Sequence, residues 1–136
     1  MLRDDKIIKA LEGMLANYKA YGYVKYPNFK SMLAWIKGYI AEGCYLEAGG
    51  YLVLYDVTTP PWADDRILQE QLVLWLGPER RIREVVPALI AVAMEKRCDL
   101  VSVGDSSPGQ RMNNIYTQRQ GFKPATQIYY KELQYG

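Results

Sequence analysis

Three arginines form a cationic cluster at the point where a helix is predicted to begin. Arg80, Arg81 and Arg83 lie within four positions of the chain. Because cations at a helix N-terminus oppose the helix dipole by roughly 0.3–1 kcal/mol each, their placement favours a bound anion. Arginine forks pair well with phosphate oxygens. The alternative is a solvated turn in which Glu79 and Glu84 neutralise the arginines.

Glu70 is a carboxylate inside an otherwise largely apolar segment. It lies in a predicted strand, and strict alternation places it on the same face as Leu72 and Leu74, partly out of water. A carboxylate in that position could accept a proton from a nucleophile. The alternative is a hydrated glutamate between Gln69 and Gln71 at the edge of a strand.

The composition excludes several kinds of site. The chain has no histidine, which removes imidazole catalysis and histidine metal ligands. Cys44 and Cys98 stand far apart without a Cys-x-x-Cys pattern, so we expect two buried reduced thiols and no metal site. The net charge of +2, without a basic stripe carrying interleaved aromatics, argues against nucleic-acid binding.

Length and hydropathy predict one globular domain that covers residues 1–136. Of the 136 residues, 49% are hydrophobic and 24% are charged, which is ordinary for such a domain. The N-terminus lacks a signal-peptide pattern, and no apolar run approaches the ~20 residues that a membrane span requires. We therefore expect a cytoplasmic protein that does not bind membranes.

Apolar residues at helical spacing predict two helices near the N-terminus. The first begins at Asp4 or Asp5, either of which could cap it, and Gly22 lies just beyond its end. The second begins after Asn28, and Gly43 is its predicted stop.

Strand-forming residues follow these helices. The runs Cys44–Ala48 and Tyr51–Val57 are separated by two glycines and predict a tight hairpin. After a proline-containing loop, Ile67–Leu76 predicts a longer strand whose end is apolar on both faces, as in a strand covered on both sides.

A helix over about residues 81–97 connects this strand to a short buried strand, Leu100–Val103. Pro87 either lies in the first turn of a helix that begins late or kinks the helix. A polar helix over residues 110–120 and a last strand over residues 127–133 complete the chain. This order predicts an α/β (α+β) fold, a mixed sheet flanked by helices in which the strand–helix–strand unit is parallel.

Three short motifs follow one another in the C-terminal half. Pro78–Arg81 opens the predicted helix, Asn114–Tyr116 precedes Gly121-Phe122, and Tyr129–Leu133 forms the last strand. In order and spacing, these motifs resemble the GNAT superfamily of acetyl-CoA-dependent N-acetyltransferases over about half of the chain.

The resemblance implies that acetyl-CoA, as co-substrate, lies in a gap between the two parallel strands, with its pantetheine arm along the first of them. It implies that Glu70 is the general base and that Tyr116 protonates the departing thiolate. The residues it implies for cofactor binding are Leu74, Trp75, Leu76, Arg80, Arg81, Arg83 and Asn114.

Two positions depart from the pattern of this family. The family cradles the pyrophosphate with small residues that let backbone N–H groups approach it, and the alignment of Arg81 places Glu84 and Val86 there. Tyr116 precedes Gly121 by five positions where four are usual, and one residue turns a helical position by about 100°. The alternative for Tyr116 is a ring packed on the core with a hydrated hydroxyl.

The resemblance predicts an enzyme that transfers an acetyl group from acyl-CoA to an amine. The alternative is a catalytically inactive GNAT-fold protein with a protein partner or a second copy of itself. The compact size and the Leu68–Leu74 strand resemble small GNAT-like proteins encoded by phages. For such a protein the corresponding role is a virion component, located in the virion or in the host cytoplasm.

The acceptor site is predicted in the loop before the long strand. Trp62, Asp64 and Asp65 could bind a cationic amine there, opposite a tyrosine cluster at Tyr21–Tyr23 and Tyr26. The alternative for these aromatic residues is a protein-binding surface, where tyrosine is favoured.

Overall fold

Two helices open the chain, as the spacing of apolar residues predicts. The computed structural model describes residues 3–16, 26–104, 116, 120–125, 129 and 131–135. Helix α1 spans Asp4–Ala16, so both aspartates lie in its first turn, where negative charge is favourable, and neither precedes the helix as a cap. Helix α2 spans Phe29–Ala41, and the side chain of Asn28 caps it by accepting a 2.9 Å bond from the Ser31 N–H.

The four strands of the sheet follow in the predicted order. Strand β1 spans Tyr45–Ala48, β2 Tyr51–Thr58, β3 Ile67–Trp75 and β4 Leu100–Ser102. They lie in the order β1-β2-β3-β4, with the first two pairings antiparallel and the β3–β4 pairing parallel. The prediction of a mixed sheet with a parallel strand–helix–strand unit is confirmed.

The β1–β2 hairpin turns through Gly49 and Gly50, as predicted. Their φ angles are 58° and 86°, a combination that residues with a Cβ adopt only at a cost.

Helix α3 begins later than the arginine cluster. A single 3₁₀ turn spans Ile82–Glu84, and α3 itself spans Val85–Glu95. Pro87 is therefore in the first turn, where the N–H it lacks is not needed for the helical ladder, and the prediction of a late start is confirmed.

Each face of the sheet carries its own core. The α1/α2-side core joins α1 and α2 to β2 and β3 through Ile7, Leu11, Ile36, Leu52, Leu54 and Leu74. The α3-side core lies on the opposite face and contains Val53, Tyr55, Leu68, Val85, Leu89 and Ala93. Strand β3 is thus covered on both faces, as its sequence predicts, and the described residues form a four-stranded mixed sheet flanked by helices.

Two strand predictions need correction. Leu100 is 52% exposed, so the strand predicted as Leu100–Val103 is only partly buried, with Val101 and Val103 packed against the α3-side core. Of the last strand expected over residues 127–133, Tyr129 and residues 131–133 are not in a strand, and residues 127, 128 and 130 lie outside the described residues. The predicted helix over residues 110–120 lies outside the described residues, except for Tyr116 and Gln120. In the described part of the chain, no helix is long and apolar enough to cross a membrane.

Candidate functional site

The parallel strands β3 and β4 are paired over a short distance only. Their three pairs run from Ile67–Leu100 to Gln69–Ser102, whereas β3 continues to Trp75. Within the described residues, no strand pairs with β3 on this side beyond Gln69. We call the point where the pairing ends the fork.

A β-bulge lies directly at the fork. Leu54 of β2 pairs with Leu72, but the next residue, Tyr55, pairs with Glu70, so Gln71 is the extra residue in β3. Bulges locally bend a strand and re-aim its side chains.

The bulge overturns the predicted orientation of Glu70. Cross-strand partners share a face, so Glu70 lies with Tyr55 on the α3 side, whereas Leu72 and Leu74 lie in the α1/α2-side core. The prediction that Glu70 shares a face with these leucines is wrong because it assumed strict alternation through the bulge. Its Oε2 atom is nevertheless shielded from solvent, so this carboxylate is partly desolvated at the fork.

Beyond the fork, some backbone N–H and C=O groups of β3 point away from β2. The Leu76 N–H donates to the Gly50 carbonyl at 2.9 Å, which directs it towards β2. Since backbone groups alternate in direction along a strand, those of Leu74 also face β2, and those of Val73 and Trp75 face the opposite edge. This geometry favours Val73 and Trp75, rather than Leu74 and Leu76, as backbone ligands for a molecule at that edge.

The loop after β3 is anchored by the β1–β2 hairpin. The Arg81 N–H donates to the Gly49 carbonyl at 2.9 Å, and the Trp75 indole N–H donates to the Glu79 carbonyl at 2.8 Å. The Arg80 guanidinium lies 3.5 Å from the centre of the Trp75 ring, a cation–π contact. Arg80 and Trp75 therefore form an exposed, fixed pair at the end of β3.

Arg81 is already neutralised by carboxylates. Its Nη2 lies 3.0 Å from Glu79 Oε2, and its Nε lies 3.0 Å from Glu84 Oε1. The ion pairs that the alternative describes are therefore present for Arg81, and a role of Arg81 in cofactor binding stays a prediction. Arg83 is exposed in the 3₁₀ turn that precedes α3.

Part of the backbone at the start of α3 is not available to cradle a pyrophosphate. The Glu84 N–H donates to the Arg81 carbonyl at 3.0 Å, and the Val85 N–H donates to the Ile82 carbonyl. Pro87 has no N–H. Since these backbone donors are used internally or absent, a phosphate here would depend on side chains such as those of Arg80 and Arg83.

Tyr116 is 8% exposed, and its ring packs edge-on against Phe122 with 5.6 Å between ring centroids. The Phe122 N–H donates to the Tyr116 carbonyl at 2.9 Å. Ring packing of the kind the alternative describes is thus present, and a catalytic role for its hydroxyl stays a prediction. Asn114 lies outside the described residues.

The predicted acceptor loop is open to solvent. Trp62 is 86% exposed, and Asp64 and Asp65 are exposed as well. Of the tyrosine cluster, Tyr26 is 89% exposed, and residues 21–23 lie outside the described residues. Among the described residues, no cluster of three side chains suits a metal ion.

One polar contact beside the fork has no counterpart in the sequence predictions. The Tyr39 hydroxyl of α2 donates to Asp56 Oδ2 of β2 at 2.8 Å. Burial and the adjacent carboxylate raise the pKa of Tyr39 to about 12. The sequence signal was an aspartate inside an otherwise apolar strand, but its partner is 17 positions away, on another element.

The buried Tyr55 lies next to Asp56 in β2 but on the opposite face of the sheet. Burial, with Cys44 and Glu95 nearby, raises the pKa of its hydroxyl. Both tyrosines therefore stay protonated at neutral pH.

Solved structures similar to this one include acetyltransferases. One, described as a probable acetyltransferase, is 12% identical with a TM-score of 0.64, and the match covers 98% of this chain and 92% of that chain. A Trypanosoma brucei acetyltransferase is 10% identical with a TM-score of 0.51, covering 97% and 96%. No protein-family model and no curated protein sequence matches the chain. The fold is thus the GNAT-like fold of acetyltransferases, in agreement with the resemblance seen in the sequence.

Proposed function

We propose that this chain is an acyl-CoA-dependent N-acetyltransferase that transfers an acetyl group from the thioester to an amine. The observation that carries the proposal is the fork. The pairing of the two parallel strands ends after three pairs, next to a bulge, and the backbone groups of Val73 and Trp75 face the edge of β3 that no described strand pairs with. An extended pantetheine arm carries amide groups that complement such an edge, much as an added strand would.

The reaction needs an uncharged amine, a polarised thioester carbonyl and a proton for the leaving thiolate. The amine nitrogen forms the new C–N bond as the C–S bond breaks. One proton leaves the nitrogen towards a base, and the thiolate takes up a proton to become CoA-SH. We assign the base to Glu70, because its carboxylate is shielded from water at the fork, and the acid to Tyr116.

The diphosphate end of the substrate is assigned to arginine side chains. Arg80 is held over Trp75, and its remaining N–H groups can pair with phosphate oxygens. Arg83 follows one turn later, whereas Arg81 is bound by Glu79 and Glu84. Binding through exposed side chains is screened by salt, so we expect modest affinity that falls as ionic strength rises.

The test compares three ligands by calorimetry: acetyl-CoA, CoA and S-acetylpantetheine, which lacks the nucleotide. Acetyl-CoA should bind, and Arg80→Ala should weaken it at least fivefold while leaving S-acetylpantetheine unaffected. Lys30→Ala, an exposed cation on α2, is the matched control and should change neither. Absence of acetyl-CoA binding at millimolar concentration would end the proposal.

A second candidate function is favoured by the neutralisation of Arg81. Glu79 and Glu84 supply the negative charge that a phosphate would bring, so the loop is stable without a ligand. A GNAT-fold protein that only binds a partner, such as a phage virion component, would keep this arrangement. Purification in a stable larger assembly, together with no response to acetyl-CoA, would select this candidate.

A further inference from the structure

Polar side chains cross the sheet beside the fork, on the face that carries α1 and α2. Asp56 of β2 pairs with Gln69 of β3, and Gln69 pairs with Ser102 of β4. Asp56 reaches α2 through its bond from Tyr39, and cross-strand partners share a face. The row Asp56–Gln69–Ser102 therefore lies on the α1/α2 side, opposite Glu70.

This part of the sheet face is accessible to solvent. Gln69 and Ser102 are exposed and Asp56 is half-buried, whereas β2 and β3 further along bury Leu52, Leu54 and Leu74 under the helices. The helices thus cover one end of this face and leave the end at the fork open.

Aromatic rings form one wall of the open region. The Trp35 ring packs edge-on against Tyr39 with 5.2 Å between centroids, and Trp35 is 40% exposed. Among the described residues, Tyr39 is the one side chain that hydrogen-bonds the Asp56 carboxylate, and it does so at Oδ2. Since the Tyr39 hydroxyl stays protonated to about pH 12, it fixes the orientation of this carboxylate under physiological conditions.

A carboxylate fixed beside exposed aromatic rings has the chemistry that recognises an organic ammonium ion. We propose that Asp56, Tyr39 and Trp35 form the acceptor site and that the acceptor is a primary amine bound in its cationic form, with its carbon chain against the rings. We call these three residues the amine corner. The inference rests on the acetyltransferase function proposed above and names the substrate class of that enzyme.

Geometry connects the amine corner to the fork. Neighbouring strands lie about 4.8 Å apart, so an ammonium group on Asp56 is about one strand spacing from β3 at Gln69, where the β3–β4 pairing ends. Asp56 binds the ammonium ion. Before attack the nitrogen loses one proton to water. After the C–N bond forms, it releases a second proton, which water carries to Glu70 on the other face of the sheet, and the departing thiolate takes up a proton from Tyr116.

Direct binding tests the amine corner without the acyl donor. The probe is phenethylamine, compared with its neutral analogue 2-phenylethanol, and the readout is the NMR shift of the Trp35 indole N–H. Phenethylamine should give a saturable shift, and Asp56→Asn should weaken its affinity at least tenfold. The alcohol should give no saturable shift.

The controls separate binding from folding. Asp56→Asn keeps an oxygen acceptor for Tyr39, and its urea midpoint should stay near that of the parent. Tyr39→Phe removes the hydrogen bond that orients the Asp56 carboxylate. It should lower the affinity for phenethylamine less than Asp56→Asn does. Glu47→Gln removes an exposed carboxylate from β1 and should leave binding unchanged.

The outcomes for the amine corner and for the acetyltransferase are distinguishable. Equal affinity in Asp56→Asn and parent, no saturable shift at all, or a loss in Asp64→Asn instead would overturn the amine corner even if acetyl-CoA binds. Amine binding that depends on Asp56, without acetyl-CoA binding, would support the amine corner and contradict the proposed acetyltransferase function. In an active enzyme, Asp56→Asn should raise KM for the amine with kcat much less affected.

Discussion

Replacement of Gly49 by alanine tests the contact that positions the loop after β3. Gly49 has a φ of 58°, and an added Cβ would collide with the carbonyl oxygen of Arg81 and lie 2.8 Å from its carbonyl carbon. The same two residues share the 2.9 Å bond from the Arg81 N–H to the Gly49 carbonyl. The collision can therefore be relieved only by moving the hairpin away from the loop.

The expected cost follows from two contributions. Left-handed backbone costs a residue with a Cβ about 1–2 kcal/mol. Separation of hairpin and loop strains two hydrogen bonds, from Arg81 to Gly49 and from Leu76 to Gly50, each 2.9 Å long and worth about 1 kcal/mol. Loss of one or both adds about 1–2 kcal/mol, so Gly49→Ala should lower the free energy of unfolding by about 2–4 kcal/mol.

Urea denaturation followed by circular dichroism measures this difference. Gly38→Ala is the matched control, because Gly38 lies inside α2 and no described atom is within 4 Å of its added Cβ. That change should stabilise the protein by about 0.5–1 kcal/mol. A loss below about 1 kcal/mol for Gly49→Ala would mean that the hairpin does not hold the loop, and the reasoning would be refuted.

Three further predictions concern the loop, the pH response and the core. Glu84→Gly removes one of the two carboxylates that pair with Arg81. Acetyl-CoA binding measured by calorimetry should tighten about fivefold or more, because Arg81 can then form roughly one charge-assisted hydrogen bond to the diphosphate. Unchanged affinity would mean that the diphosphate binds elsewhere. Because the pKa of Tyr39 is raised to about 12 in the folded state, its contribution to stability is complete below pH 10 and lost as pH rises through 12. Unfolding free energies should accordingly fall more steeply above pH 10 in the parent than in Tyr39→Phe, and parallel curves would contradict this. Leu89→Ala, at a fully buried position, should lower the free energy of unfolding by about 2–5 kcal/mol in the same urea assay. Met94 is 73% exposed, so Met94→Ala should lower it by less than about 0.5 kcal/mol. Equal losses would contradict the orientation of α3.

Local signals were sufficient for most elements of the fold. Helical spacing predicted α1 and α2, the Gly49-Gly50 pair predicted the hairpin, and the apolar end of β3 predicted burial on both faces. These features are local because a helix or a turn is decided by neighbours in the sequence. Pro87 left two alternatives for α3, a late start or a kink, and both followed from the missing N–H of proline.

The site depended on contacts between distant positions. Strict alternation placed Glu70 with Leu72 and Leu74, but the bulge moved it to the α3 side. An extra residue in one strand is set by its pairing with the neighbouring strand, and the residues Gln69-Glu70-Gln71 do not reveal it. The predicted face of Glu70 was therefore wrong, although its shielding from solvent was expected.

The sequence by itself determined helices α1 to α3, strands β1 to β4 and the position of three arginines near the start of α3, because these features depend on residue types at short separation. Tertiary structure decided where the β3–β4 pairing ends, which arginine is neutralised, and that Tyr39 meets Asp56 across 17 positions. The physical reason is that hydrogen bonds and ion pairs act over a few ångströms in space, and only the packing of the helices on the sheet sets those distances.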